Sequence, residues 1–383
     1  MRKICVVVTA RASYSRIKTV LKAITEHQEL ELQLIVSSTA LVEKYGNVIK
    51  NIQRDGFQVT ARLQNFLEGE NPTTSAKTAG LALIELAGVF DHLNPDVVLT
   101  VGDRSETIAT ASCAAIMHIP LAHVQGGELT GNVDDKIRHS ITKLADIHFV
   151  ATHDAHQRVL RLGENPEKVY HTGCPSIDIA AQVYREPPLN FNPNEKYGGV
   201  GKCLNTTEPY LVVMQHSVTN EYGSSRHQID LTLAAVKKLD LQTVWFWPNP
   251  DAGSAETARG IRCFRETNQI ARMHYYKNME SADFLKLLKN AACLIGNSSV
   301  GIRECAYLGV PVVNIGSRQS GRQRGKNVID VDHNTSCIQH AVQTQLEHGH
   351  YESDPIYGDG QAGKMIGQIL ATTDLTSSKK ITF

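Results

Sequence analysis

Residues 123–139 read HVQGGELTGNVDDKIRH and begin inside the apolar run IPLAHV. An apolar run that stops at Gly126 and Gly127 and gives way to a helix headed by Asp134 and Asp135 predicts a strand, a turn and a helix in succession. The glycines let the backbone turn sharply or approach a ligand closely, and acids at a helix start complement its dipole. The dipole accounts comfortably for one of the two aspartates but less well for both. Arg138 and His139 follow one turn later, and Asp135 with His139 has the i, i+4 spacing of a pair on a helix wall.

Outward from this unit the same grammar repeats. Short apolar runs rich in Val, Ile and Leu (ICVVVT, LQLIVSS, DVVLTVG, PLAHVQ, DIHFVAT and, more weakly, VYHTG) alternate with segments of helical period. Those segments are SRIKTVLKAITEH, LVEKYGNVIKNIQ, AKTAGLALIELAGVFDHL, ETIATASCAAIM and DDKIRHSITKLA. Near-continuous apolar strands alternating with helices predict a parallel sheet buried on both faces. The pattern fails between Arg185 and Pro209, where Pro, Gly and Asn accumulate, and resumes with YLVVMQH, TVWFWP, ACLIGN, PVVNIG and VIDV. The expected fold class is α/β, with two Rossmann-like doubly wound domains facing a cleft. The expected domains are 1–187 and 188–383, the last helix being a candidate to pack back on the N-terminal domain.

Bulk properties narrow the partners. A chain of 383 residues exceeds what one hydrophobic core usually serves. Lys plus Arg and Asp plus Glu balance at 39 each, so no overall charge attracts nucleic acid or an anionic membrane, and an anionic ligand must be held by local groups. The eight cysteines are scattered without a CxxC pair, and several sit in apolar runs, which suits reduced core thiols and a cytoplasmic protein. The N-terminal MRKICVVVTAR is too short in its apolar part for a signal or a membrane span and is expected to be the first strand. No P-loop, HExxH or Cys/His cluster is present, so neither a metal nor a cofactor is expected.

Chemistry is expected in the loops that follow the strands. In TARASYS, Arg11 and Ser15 open a helix where backbone N–H groups suit an anion, although an ordinary helix-capping serine explains the serine equally well. In VGDRSET, Asp103 could simply cap the helix near Ser105, but Arg104 beside it suits phosphate recognition. Successive strand ends can converge, so Asp103, Gln125 and Asp134 are expected to share a site. In the second half His216 ends a strand in QHSVTNEYG, and Asn249 and Asp251 follow another in WPNPDAGS. The run GNSSVGIRE is a strand, a glycine, two hydroxyls and a helix, which presents Ser298, Ser299 and backbone N–H groups to a phosphate or diphosphate, with Glu304 placed for ribose hydroxyls. Arg318, Arg322 and Arg324 in the later GSRQSGRQRGKN are clamp candidates. Trp245 and Trp247 alternate as strand residues do and are expected to pack the domain.

The motifs TARASYS, VEKYGN, GLAL, VGDR, GGELTGNVDDKIRHSITKLA, GCPS, PNPDAGS, IGNSSVGIRE, GSRQSGRQRGKNV and IYGDG carry a resemblance over nearly the whole chain. In this order they resemble the hydrolysing UDP-N-acetylglucosamine 2-epimerases. The resemblance implies a glycosyltransferase-B-like fold with UDP between the domains, a homodimer or homotetramer, and a two-stage reaction. UDP is expelled as the C2 proton is lost, giving a 2-acetamidoglucal, and water then adds to release N-acetylmannosamine. By the same resemblance Arg11, Ser15, Arg104, Asn249, Ser298, Ser299, Glu304 and Arg318 would bind UDP and the sugar. The catalytic positions would be Asp103, Gln125, Asp134 and His216.

Two positions depart from the family pattern. Ser13 replaces an aspartate, and Gln125 stands where the family keeps a glutamate. An amide keeps the shape and hydrogen bonding of a carboxylate but exchanges no proton at neutral pH. Three accounts fit: a natural subgroup in which Gln125 only positions the sugar, a subgroup acting on a UDP-2,4-diacetamido-trideoxyhexose, or an inactivating substitution. The independent departure at Ser13 favours a natural subgroup. The rivals of other kinds are a non-hydrolysing UDP-N-acetylglucosamine 2-epimerase, a glycosyltransferase and a binding protein that turns nothing over.

Overall fold

The computed structural model describes residues 1–46, 48–131, 133–187, 189–249, 251–268, 272–375 and 379–382. By compactness the chain divides into two units, Met1–Glu128, Val133–Ile179 and Tyr357–Phe383 forming the first and Leu129–Asn132 with Ala180–Ile356 the second. The change-over at Ile179 falls inside a helix, so the composition break that starts at Arg185 lags it. Pro188, on which the sequence-based boundary falls, lies outside the described residues. The segment from Tyr357 onward groups with the first unit.

The first unit holds strands β1 (Arg2–Val8), β2 (Leu30–Ser37), β3 (Ala61–Leu63), β4 (Val97–Val101), β5 (Leu121–Val124), β6 (Ile147–Val150) and β7 (Val169–His171). They form one parallel sheet in the order β3-β2-β1-β4-β5-β6-β7, which reverses direction at β1 and β4 as a doubly wound sheet does. Its helices are α1 (Arg11–Glu26), α2 (Val48–Arg54), α3 (Pro72–Leu93), α4 (Thr107–Ile116), α5 (Val133–Leu144), α6 (His153–Arg161) and α7 (Pro175–Arg185), the last running past Ile179. Alternate residues of β1 enter different layers. Ile4, Val6 and Val8 join Ile17, Leu21 and Ile24 of α1, while Cys5 and Val7 join Leu86 and Phe90 of α3 and Ile141 of α5. A strand buried on both sides must be apolar throughout, which is why these runs stood out in the sequence.

The second unit holds β8 (Val200–Gly201), β9 (Tyr210–Met214), β10 (Gln242–Phe246), β11 (Met273–Tyr276), β12 (Cys293–Gly296), β13 (Val312–Ile315) and β14 (Val328–Val331), in the order β14-β13-β12-β9-β10-β11-β8. All pairings are parallel except β8 on β11 at the edge. Its helices are α8 (Pro193–Tyr197), α9 (Ser225–Leu239), α10 (Ser254–Thr267), α11 (Ser281–Lys289), α12 (Ser299–Ile302), α13 (Glu304–Leu308) and α14 (Thr335–His348). Trp245 is fully buried among Leu211, Val213, Ile229 and Tyr275, and Trp247 packs against the same core.

The closing helix α15 (Ala362–Thr372) lies on α1 and puts Ile366 and Leu370 into the core of the first unit. Its start is held by Asp178 of α7, whose carboxylate accepts from the Ala362 and Gly363 amides at 2.9 and 2.7 Å and from the Thr19 hydroxyl at 2.8 Å. The helix expected over LVEKYGNVIKNIQ is instead two 3-10 turns, Ser38–Leu41 and Glu43–Tyr45, and then α2. Gly46 in the left-handed region (φ 104°) ends the second turn. Among the described residues no helix is long and apolar enough to cross a membrane. No disulfide forms: Cys5, Cys113, Cys174, Cys293 and Cys305 are buried thiols, while Cys203 and Cys337 are exposed.

Candidate functional site

In the first unit the polar groups gather where β4 and β5 end. Asp103 does not cap a helix, because α4 begins only at Thr107. Its carboxylate instead pairs with the guanidinium of Arg138 in α5, and Arg16 of α1 lies 3.8 Å from its other oxygen. Arg138 is fully buried; its other arm donates to Asp135 at 2.5 Å and to the Glu128 carbonyl at 2.7 Å. Burial alone would lower the pKa of Arg138, but the charges of Asp103, Glu128 and Asp135 outweigh it and raise that pKa above the usual arginine value. Asp135 pairs with Arg138 at i, i+3, and its charge also acts on His139 at i, i+4. Asp134 stands half-buried in the first turn of the same helix.

Gln125 follows β5 in the left-handed region (φ 67°), a costly conformation for a residue with a Cβ. Two bonds hold it there. Its amide N–H donates to the Phe149 carbonyl at 2.9 Å, and its side-chain Nε2 donates to the Cys174 Sγ at 2.8 Å. Cys174 Sγ in turn lies 3.0 Å from the Ser176 hydroxyl. With Nε2 committed to sulfur, the amide offers an acceptor, Oε1, on the side where Gly102 leads into Asp103; a Cβ on Gly102 would lie 3.9 Å from it.

Arg11 opens α1, and burial pulls its guanidinium pKa down. Ser15 donates to helix carbonyls, at 3.1 Å from Arg11 O and 3.2 Å from Ala12 O. Ser13 closes the N-terminus of α1: its hydroxyl accepts from the Ala10 amide at 2.9 Å and lies 2.7 Å from the Ala10 carbonyl. A serine thus does the capping work open to the family aspartate at that position. Arg104 pairs with Glu106 at 3.2 Å.

The second unit has its own constellation at the ends of β9, β10, β12 and β13. Asn297 knits it together: its Oδ1 accepts from the His216 amide and its Nδ2 donates to the His216 carbonyl, both at 2.8 Å. The Asn297 carbonyl accepts from Arg318 at 3.2 Å and from Gln319 at 2.9 Å. The Asn249 amide donates to His216 Nδ1 at 3.1 Å, so in the neutral ring the proton sits on Nε2. Arg318 also lies 3.6 Å from Asp251. Ser298 caps α12, and Ser299 accepts from Arg303 at 2.8 Å. Arg303 is buried beside Glu304, at 3.9 Å. Gly296 is required here (φ 133°), because a Cβ would overlap the Met214 carbonyl of neighbouring β9.

The structure thus brings Asp103 and Gln125 together at adjoining strand ends, with Asp134 one turn before Arg138. Separately it gathers His216, Asn249, Arg318 and the Ser298–Ser299 turn. Of the other clamp candidates, Arg322 donates to Gln319 at 2.8 Å, and Arg324 pairs with Asp330 at 2.7 Å. Arg16, His123, Cys174, Asn297 and Arg303 escaped the sequence reading, since each meets its partners through tertiary contacts that no local spacing announces. Asn47 of VEKYGN, Asn132 of GGELTGNVDD and Pro250 of PNPDAGS lie outside the described residues. Among the described residues no group of three or more His, Cys, Asp or Glu side chains could hold a metal ion.

Comparison with known proteins gives the family. The UDP-N-acetylglucosamine 2-epimerase family model matches residues 22–371. The chain is 32% identical to the UDP-N,N'-diacetylbacillosamine 2-epimerase (hydrolyzing) of Legionella pneumophila, covering 98% of this chain and 97% of that one. It is also 32% identical to the UDP-N-acetylglucosamine 2-epimerase of Neisseria meningitidis, over 94% and 92%. Among solved structures, the Methanocaldococcus jannaschii UDP-GlcNAc 2-epimerase in complex with UDP-GlcNAc and UDP superposes with a TM-score of 0.80 at 18% identity, over 96% of this chain and 99% of that one. That likeness supports the glycosyltransferase-B-like, two-domain fold class.

Proposed function

Since the chain belongs to the UDP-N-acetylglucosamine 2-epimerase family, we propose that it is a hydrolysing 2-epimerase, converting UDP-N-acetylglucosamine and water into UDP and N-acetylmannosamine. The observation that carries this reading is Asp103, a carboxylate at a strand end held by Arg138 and faced by Arg16. Arg138 fixes the orientation of the carboxylate, and Asp103 is assigned the proton-accepting role on that placement at the strand end. A C2 hydrogen with no adjacent carbonyl is barely acidic, so its removal must be coupled to departure of the C1 leaving group. As Asp103 takes the C2 proton, the C2–H electron pair becomes the C1=C2 bond and the C1–oxygen bond breaks, its own bonding pair leaving with UDP. Water then adds at C1 while a proton returns to C2 on the opposite face, which is what inverts the centre. That second proton needs a second acid, and we assign it to Asp134.

Gln125 exchanges no proton in this scheme. Its Oε1 accepts from a sugar hydroxyl or the acetamido N–H, in keeping with the amide being turned by Cys174. UDP is assigned to Ser298, Ser299, Glu304, Asn249 and Arg318, with Arg11, Ser15 and Arg104 contributing to the diphosphate and sugar. His216, whose Nδ1 accepts from the Asn249 amide, is assigned through Nε2 as a donor to the leaving oxygen. A second reading keeps the chemistry and changes the sugar to a UDP-2,4-diacetamido-trideoxyhexose; it is favoured by the Legionella relative, which aligns over 98% of the chain.

Incubation with UDP-N-acetylglucosamine in D2O, followed by NMR, tests the proposal. Free UDP with C2-deuterated N-acetylmannosamine is the expected result. Retained UDP-sugar carrying deuterium at C2 would mean a non-hydrolysing epimerase, and an acceptor-dependent product would mean a transferase. Inertness toward this sugar together with turnover of the diacetamido sugar selects the second reading.

A further inference from the structure

The geometry points to His123 as a positioning residue that anchors the Asp103 loop to the helix carrying Arg138, an inference that rests on the reading of Asp103 above. His123 lies in β5 with its ring fully buried. Its Nε2 is 2.9 Å from the carbonyl of Gly102, the residue directly before Asp103. A carbonyl oxygen can only accept, so Nε2 carries the proton. Burial, the largest effect, drives the ring pKa down to about 3, with Arg138 and His148 adding to it, so the imidazole is neutral and Nδ1 is a bare acceptor. The hydroxyl of Thr142 lies 3.2 Å from that Nδ1 and donates its one proton there, turning from the carbonyl of Arg138, 3.1 Å away and one turn earlier in α5.

These contacts close a ring. The backbone before Asp103 is tied through the imidazole to α5 at Thr142, and the Asp103 side chain is tied to α5 through Arg138. Main chain and carboxylate of Asp103 are therefore both referenced to one rigid helix. Rigid support of this kind is what a proton-accepting group needs, because a misplacement of about 1 Å can cost on the order of 100-fold in rate. The following turn is shaped for the ring as well. A Cβ on Gly126 would sit 3.1 Å from His123 Nδ1 and 3.0 Å from the Thr142 hydroxyl, so the glycine leaves room for their contact.

The test compares two substitutions that split the ring's two bonds. In His123→Gln the side-chain Nε2 can still donate to Gly102; in His123→Asn the shorter amide reaches toward Thr142 and loses Gly102. His123→Gln should keep kcat within about 3-fold of wild type, whereas His123→Asn should lower it on the order of 100-fold with KM within about 3-fold. Equal kcat in both variants, or a loss expressed in KM alone, overturns the proposal. Long-range ¹H–¹⁵N NMR of the wild-type ring gives a readout that needs neither substrate nor a folded variant. A protonated Nε2 with a bare Nδ1 between pH 5 and 8 is the expected spectrum, and the opposite tautomer or a ring that titrates in that range refutes the anchor. If wild type turns over no UDP-sugar, the functional proposal fails while the ring spectrum still decides the anchor.

Discussion

Replacing Arg138 with methionine isolates what the buried guanidinium does. The side chain is 1% exposed and its charged partners Asp103 and Asp135 are 12% and 20% exposed, so solvent screens the interaction little. Methionine fills most of the volume without the charge. Asp103 then keeps Arg16 at 3.8 Å but loses its close ion pair, and the Glu128 carbonyl loses the 2.7 Å bond from Arg138. Breaking a buried pair from one side costs about 3–5 kcal/mol, since the partner stays buried with its charge. For a domain of this size each kcal/mol lowers Tm by about 2–4 °C, so Arg138→Met should melt about 6–20 °C below wild type. The double variant Arg138→Met/Asp103→Asn removes the stranded charge as well and should recover roughly half of that loss, the asymmetry expected when both members of a buried pair are neutralised. Thermal melts and urea titrations of the four proteins measure the cycle. A single variant within about 1 kcal/mol of wild type, or a double variant whose losses simply add, refutes the view that Arg138 is the electrostatic centre of this wall.

Further outcomes follow from the same structure. Asp103→Asn should abolish turnover while UDP affinity, measured by calorimetry, stays within about 3-fold, because the amide keeps the shape but loses the proton acceptor, along with the charge that pairs with Arg138. Gln125→Leu should likewise leave UDP affinity unchanged but lower turnover at least about 10-fold, since Oε1 has no substitute acceptor. Stability should fall on acidification in two stages. His123 is ordinarily half-protonated at 6.5 but only at about 3 in the fold, so the unfolded chain gains a proton first and stability is lost as pH drops below 6.5. Burial would raise the pKa of Glu164, but hydrogen bonds from His148, Lys143 and Lys379 hold it down to about 2 against an ordinary 4.5, so a second loss begins below 4.5. Urea titrations should show a slope near 1.4 kcal/mol per pH unit from this histidine, about doubling once the glutamate joins; a flat profile from pH 6.5 to 4.5 contradicts the histidine assignment, and a slope that does not steepen below 4.5 contradicts the glutamate's. Gly296→Ala should cost more than about 4 kcal/mol, because a Cβ there meets the Met214 carbonyl, whereas Gly349→Ala, with open space around it, should cost less, about 1–3 kcal/mol for a positive-φ backbone that favours glycine.

The parallel strands were legible because their requirement is local: a strand covered on both faces must be apolar at every position, and runs such as ICVVVT, DVVLTVG and YLVVMQ are. Edge strands escape that rule. β3 and β8 have three and two residues, and β11, the polar-looking MHYY, hides two tyrosines and a histidine whose polar atoms are satisfied inside the fold. The polar motifs were legible as loops after strands, and the turn glycines at 126, 127 and 296 as places of close approach.

The sequence by itself determined the α/β alternation, the loops that carry the chemistry and the family, since each of these rests on periods and motifs within about thirty residues. Tertiary structure alone decided which polar groups work as partners. Strand order sets β4 beside β5 and β5 beside β6, and so delivers Arg138 to Asp103, His123 to the Gly102 carbonyl and Cys174 to Gln125, the last pair 49 residues apart. It also paired Arg322 with Gln319 and Arg324 with Asp330 and gave Ser13 a cap to make. The glutamine in HVQGG, unreadable as a letter, has its orientation from a cysteine that only the sheet brings within 2.8 Å. Side-chain direction depends on which strands pair, and pairing is a property of the whole domain.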